Sequence, residues 1–147
     1  MLVFRTHFDV EYKNYLELWG ACDASYDLAS QALALYQLSP ADEQARKEGE
    51  TDAISDFDKC REALADVRRR RPFIQQNVCD AAVNLLRECT IIRQEYMRLY
   101  DHMHKDNSID LREIIKDTKE RLETVRADYD GVARLIADRV QRMYVVD

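Results

Sequence analysis

Apolar side chains recur along this chain at helical spacing, in four stretches separated by Ser39-Pro40, Arg71-Pro72 and Asn107-Ser108. In the first stretch Phe8, Tyr12, Tyr15, Trp19, Cys22, Tyr26, Ala29, Leu33 and Tyr36 alternate spacings of four and three, an aromatic-rich heptad seam. Leu18, Leu28 and Leu35 lie beside it and widen it, so this helix is expected to touch more than one neighbour. The second stretch repeats the spacing only from Ala53, through Phe57, Cys60, Leu64 and Val67. In the third, Ile74, Val78, Ala81, Leu85, Cys89, Ile92, Tyr96, Leu99 and Met103 form a stripe broadened by Leu86, Met97 and Tyr100, which predicts the most buried helix. The fourth carries a strict heptad from Leu111 through Ile115, Thr118, Leu122, Val125, Tyr129 and Val132 to Ile136.

The breaks suggest how the helices start. Ser39 reads as an N-cap with Pro40 at the first helical position and Asp42 three residues after the cap, and Asn107-Ser108 as a turn and N-cap. Yet Ala41 and Ala45 are the only apolar residues between 41 and 52, so 40–52 has no core face and is a solvated first turn or two, or a long connection. The expectation is an all-α single domain over 1–147, an up-and-down bundle of four long antiparallel helices at about 6–38, 52–71, 73–105 and 109–144, with a polar excursion at 40–52.

Composition agrees: 147 residues with 3 Gly, 2 Pro and 34% charged side chains favour long helices over a turn-rich β fold. Charge divides the helices into two kinds. Segments 1–38 and 72–106 hold 7 and 9 charged residues, whereas 39–71 and 107–147 hold 17 each. In an up-and-down bundle the two apolar helices would lie on a diagonal, where the charged pair cannot cover both. Part of one is then expected to face a partner, most simply a second copy or another helical protein, through Tyr12, Tyr15, Trp19 and Tyr26, with Trp19 the best anchor.

The net charge of −6 gives no global attraction to nucleic acid or anionic lipid. The local exception is Arg68-Arg69-Arg70-Arg71. At a helix C-terminus such a run meets the negative end of the dipole, and it also offers an anion or acidic-lipid contact. Cys22, Cys60, Cys79 and Cys89 include no C-x-x-C pair and signal neither zinc nor disulfides, which points to a reducing compartment. Asp101, His102 and His104 are candidate metal ligands, but a di-iron bundle needs two Glu-x-x-His units and further inward carboxylates. No nucleophile elbow, phosphate loop, dinucleotide fingerprint or zincin motif occurs, and neither catalytic residues nor a cofactor are expected.

No run of 18 apolar residues and no signal peptide is present, so a cytoplasmic location is expected. Met1-Leu2-Val3-Phe4 before Arg5 has the composition of the last turn of a membrane span. Phe8-x-x-Glu11-x-x-x-Tyr15-x-x-Leu18-Trp19, with Arg71-Pro72-Phe73, resembles a loosely defined group of uncharacterised bacterial proteins in which a transmembrane helix precedes a cytoplasmic helical domain. The resemblance implies a bundle tethered to the inner face of a membrane by a segment upstream of Met1, and it implies no catalytic residues. The leading expectation is a non-enzymatic interaction or oligomerisation module; the alternatives are a metal-binding bundle of oxidoreductase or storage type, and an anionic-lipid or nucleic-acid contact through Arg68–Arg71.

Overall fold

The computed structural model describes residues 2–103 and 109–145, with side chains described over 7–103 and 109–144. Five α-helices, α1 (Leu2–Tyr36), α2 (Glu43–Thr51), α3 (Ala53–Arg69), α4 (Gln76–Leu99) and α5 (Leu111–Val145), pack against one another, and a 3-10 turn, Arg71–Phe73, joins α3 to α4. There is no strand among the described residues. All-α architecture is thus shown.

Local chemistry shifts several of the expected ends. The Ser39 hydroxyl and N–H both donate to the Asp42 carboxylate, at 3.0 and 3.1 Å, so Ser39 is not the N-cap of a helix through Pro40. The polar excursion instead contains α2, a nine-residue helix with no buried residue, which starts after Asp42. Pro72 lies in the 3-10 turn, followed by extended Ile74 and Gln75, so α4 starts at Gln76 rather than at 73. It ends at Leu99, short of 105. Asn107-Ser108 falls outside the described residues.

The seam of α1 is a second correction. Tyr15, Leu18, Cys22, Ser25, Ala29, Ala32 and Tyr36 are buried, a heptad that shares 15, 22, 29 and 36 with the expected one but uses 18, 25 and 32 in place of 19, 26 and 33. Ser25, Ala29 and Ala32 are small and allow α4 to come close. Trp19 and Tyr26, one position over, lie beside the seam and rest on Tyr129 of α5, with ring centroids 4.7 and 4.5 Å away.

Ten residues of α4 are buried, against three of α3, as its broad stripe predicts. The two apolar helices pack directly against each other, with α3 and α5 each packed against both, while α3 and α5 share no comparable interface among the described residues. The charged helices can therefore cover the outer flanks of an apolar pair that buries its own facing stripes. The premise that one apolar helix must be left uncovered does not hold for this arrangement.

Cross-chain contacts set the directions. Tyr15 meets Gln75, Arg93 meets Leu28 and Tyr36 meets Tyr96, so α1 and α4 run the same way. Glu11 with Arg139 and Asp23 with Tyr129 make α5 antiparallel to α1. Cys79 with Val67 and Arg93 with Asp56 make α3 antiparallel to α4. The start of α1, the α3–α4 corner and the end of α5 consequently meet at one end of the molecule.

Candidate functional site

That shared end carries a cleft of about 550 Å³. Val10, Pro72, Phe73 and Ile74 supply its apolar lining, and His7, Glu11, Gln75 and Arg139 its polar lining. Two fixed networks shape it. Arg139 donates from Nε to Glu11 Oε2 at 2.7 Å and from Nη2 to Glu11 Oε1 at 3.1 Å, a bidentate fork between α5 and α1. Glu11 Oε2 also accepts the Tyr15 hydroxyl at 2.5 Å, and the same hydroxyl accepts the Gln75 N–H at 3.0 Å, which ties the residue before α4 to α1.

These contacts determine how the groups titrate. Burial works to raise the Glu11 pKa, but the Arg139 and Tyr15 hydrogen bonds outweigh it and hold the carboxyl below its ordinary value. Burial, with the Glu11 bond added, pushes the Tyr15 hydroxyl up to about 12. At neutral pH Glu11 and Arg139 therefore form a satisfied ion pair within the cleft.

Arg70 fixes the neighbouring corner. It donates to Asp66 Oδ2 at 2.8 Å and Asn14 Oδ1 at 2.8 Å, and pairs with Glu17 at 2.5 Å. The arginine run is thus divided: Arg70 is a half-buried tie, whereas Arg68, Arg69 and Arg71 are exposed. Arg68 and Arg71 have no ion-pair partner among the described residues, and Arg69 approaches Asp66 only to 3.7 Å. Arg71 shares the 3-10 turn with the exposed Phe73.

A different polar cluster is buried among α1, α3 and α4 towards the α2 end, where spacing alone predicts only apolar contacts. Arg93 is fully buried. Its guanidinium pairs with Asp56 of α3 at 3.2 Å, donates to the Leu28 carbonyl of α1 at 3.2 Å, and lies 5.1 Å from the Tyr96 ring centroid. Arg93 Nε and the Tyr36 hydroxyl are buried and lack a partner among the described residues. One signal of this layer exists in the sequence: Arg93 lies four residues after Cys89 and three before Tyr96, inside the apolar stripe.

The other expected site residues are dispersed. Tyr15 is buried, and its hydroxyl donates to Glu11 and accepts the Gln75 N–H. Tyr12 stacks on Phe8 with centroids 5.7 Å apart, and Trp19 and Tyr26 are taken up by Tyr129. Asp101 and His102 are exposed in the turn after α4, and His104 lies outside the described residues. Among the described residues no three His, Cys, Asp or Glu side chains are grouped to hold a metal ion. The four cysteines are buried free thiols, and burial pushes Cys60 to about 11 and Cys22 to about 12, which makes these two poor nucleophiles at neutral pH. No described helix is long and apolar enough to cross a membrane. No family model matches the chain, and no curated protein or solved structure matches it either.

Proposed function

We propose that this protein is a non-enzymatic helical-bundle contact module, whose working face is the end formed by the start of α1, the Arg71–Phe73 turn and the last turns of α5. In this reading α1, α3, α4 and α5 are the four members of an up-and-down bundle and α2 is an accessory helix on its outside. The observation that carries the reading is the concentration of exposed apolar groups at that end. Val10 and Phe73 are 42% and 52% exposed beside the cleft, and Tyr144, 62% exposed, lies edge-on to Phe8 at 5.1 Å. Elsewhere among the described residues the large exposed apolar side chains are Leu16 and Ile54, on separate helices. A patch of apolar side chains beside a concavity is the ordinary mark of a contact surface.

Hydroxyl-radical footprinting tests this reading whatever the partner is. Val10, Phe73 and Tyr144 are expected to lose reactivity when purified protein is returned to an extract of its own cells with membranes retained. Leu16 and Ile54 serve as internal references and should keep theirs. Equal reactivity of all five positions with and without extract would remove the assignment of this end as the working face.

A further inference from the structure

Charge is distributed along the bundle as unevenly as apolar surface. Residues 7–13, 66–75 and 138–144, which meet at the cleft end, hold seven Lys and Arg against four Asp and Glu, in a chain whose overall charge is −6. Residues 40–52, at the opposite end, hold five acidic residues against two basic. Ion pairing leaves this excess in place: Glu11 pairs with Arg139, and Arg70 with Asp66 and Glu17, while Arg68 and Arg71 have no such partner among the described residues. One end is therefore locally cationic in an otherwise acidic molecule.

From this distribution we infer that the cleft end docks end-on against an anionic lipid surface. The proposal rests on the reading of that end as the contact face and names what the face touches. Two features converge on a bilayer interface. Exposed Arg68, Arg69 and Arg71 lie at the α3–α4 corner, and each basic side chain near an anionic membrane strengthens binding by roughly fivefold. Exposed Phe73 and Val10, at the same end, are the apolar groups that an acyl–headgroup boundary accepts.

Geometry favours a plane over a strand. Four consecutive arginines cannot all face one groove along a helix side, but here Arg70 is withdrawn into the fold and the rest stand at a corner, where end-on approach suffices. A nucleic-acid groove would track a backbone over several nucleotides and use a series of stacking faces. At this end Phe73 lies among aliphatic Val10, Pro72 and Ile74, while the other aromatics, Tyr144, Phe8 and Tyr12, are engaged with one another rather than set out as a row of open stacking faces. The acidic 40–52 end would point away from the membrane and be repelled by it.

Vesicle co-sedimentation of the whole chain tests the proposal. The protein should sediment with phosphatidylcholine vesicles containing about one third phosphatidylglycerol, remain in solution with phosphatidylcholine alone, and be released as salt rises from about 0.1 to 0.5 M. Arg68→Glu with Arg71→Glu should lower partitioning by at least about 25-fold, and Phe73→Ala by about fivefold. Arg46→Glu with Lys47→Glu, at the other end, should leave it unchanged. All five side chains are exposed or half-buried, so unchanged helical circular dichroism is the expected control.

Failure to sediment with the mixed vesicles, equal binding to neutral ones, or equal sensitivity to the Arg46 and Lys47 changes would overturn the proposal. So would tighter, Arg68- and Arg71-dependent binding to a single-stranded oligouridylate, which would assign the patch to nucleic acid. Protection of Val10, Phe73 and Tyr144 in an extract cleared of membranes, without vesicle binding, would overturn the lipid assignment alone. Absence of protection in every extract would remove the contact face itself.

Discussion

Arg93 with Asp56 and Arg139 with Glu11 join helices that are distant in sequence, yet the two pairs are made in different surroundings. The first lies inside the bundle towards the α2 end, with the arginine side chain 0% and the aspartate 13% exposed, and one guanidinium nitrogen has no partner among the described residues. The second lies at the cleft, 30% and 20% exposed, and makes two parallel hydrogen bonds with a tyrosine hydroxyl added. Burial makes the inner pair hard to break, because whichever charge is left cannot return to water. Partial exposure makes the outer pair easy to break and easy to titrate. The inner pair thus specifies which faces of α1, α3 and α4 meet, and the outer pair sets the shape of the candidate contact face.

Asp56→Ala should produce the largest effect, because it strands a fully buried guanidinium. A loss of about 3–5 kcal/mol is expected in urea unfolding. Arg93→Met should cost less, since the remaining Asp56 has some exposure and already approaches Lys59 at 3.4 Å. The double variant Asp56→Leu/Arg93→Met should recover most of the loss, as isosteric apolar replacement of a buried pair does. If Asp56→Ala cost less than about 1 kcal/mol, the Arg93 layer would be wet and the contrast between the two pairs would collapse.

The outer pair should behave as a pH-dependent tie of smaller weight. Arg139→Ala is expected to cost about 1 kcal/mol at neutral pH, the upper range for a half-exposed pair with good geometry. Glu11 is depressed in the folded state, so its contribution is complete above the ordinary glutamate value of about 4.3 and is lost as pH falls through the folded pKa. The neutral Tyr15 hydroxyl is favoured in the folded state, so its contribution is complete below about pH 10 and is lost as pH rises toward 12. Urea midpoints measured across pH should fall on both wings, and Arg139→Ala should flatten the acid wing. An acid wing unchanged by Arg139→Ala would show that the fork does not set the Glu11 proton affinity.

How much of this is legible in the sequence follows from what periodicity can and cannot distinguish. A heptad at 15, 22, 29 and 36 is unambiguous, but the alternate positions have two solutions one residue apart. Hydrophobicity ranks Trp19, Tyr26 and Leu33 above Leu18, Ser25 and Ala32, whereas close approach of α4 favours the smaller set. Arg93 stands inside the stripe, but a charge is ordinarily assigned outward, and only the partner Asp56, 37 residues away, makes it tolerable in the core. The cleft draws on residues 7–11, 72–75 and 139. No local pattern links three such segments. Only the Arg71-Pro72-Phe73 punctuation marks the spot, and by itself it reads as a boundary between helices.

Glycines provide the mildest test of the same contrast between the close-packed Arg93 layer and looser surroundings. A Cβ on Gly49 of α2 would collide with Leu35 Cδ2 and lie 3.1 Å from the Tyr96 hydroxyl, so α2 presses on the aromatic side of the Arg93 layer. A Cβ on Gly20 or Gly131 would meet nothing within 4 Å. Both are interior helical positions, where alanine is favoured over glycine by about 0.5–1 kcal/mol through helix propensity and unfolded-state entropy. Gly20→Ala should therefore raise stability by about that amount in urea unfolding. Gly49→Ala carries the same propensity gain, but Leu35 must rotate away and the Tyr96 hydroxyl must shift by a few tenths of an ångström, which should cancel the gain. Equal stabilisation by both substitutions would mean that α2 does not press on Tyr96, and the polar layer would then be closed by α1, α3 and α4 alone.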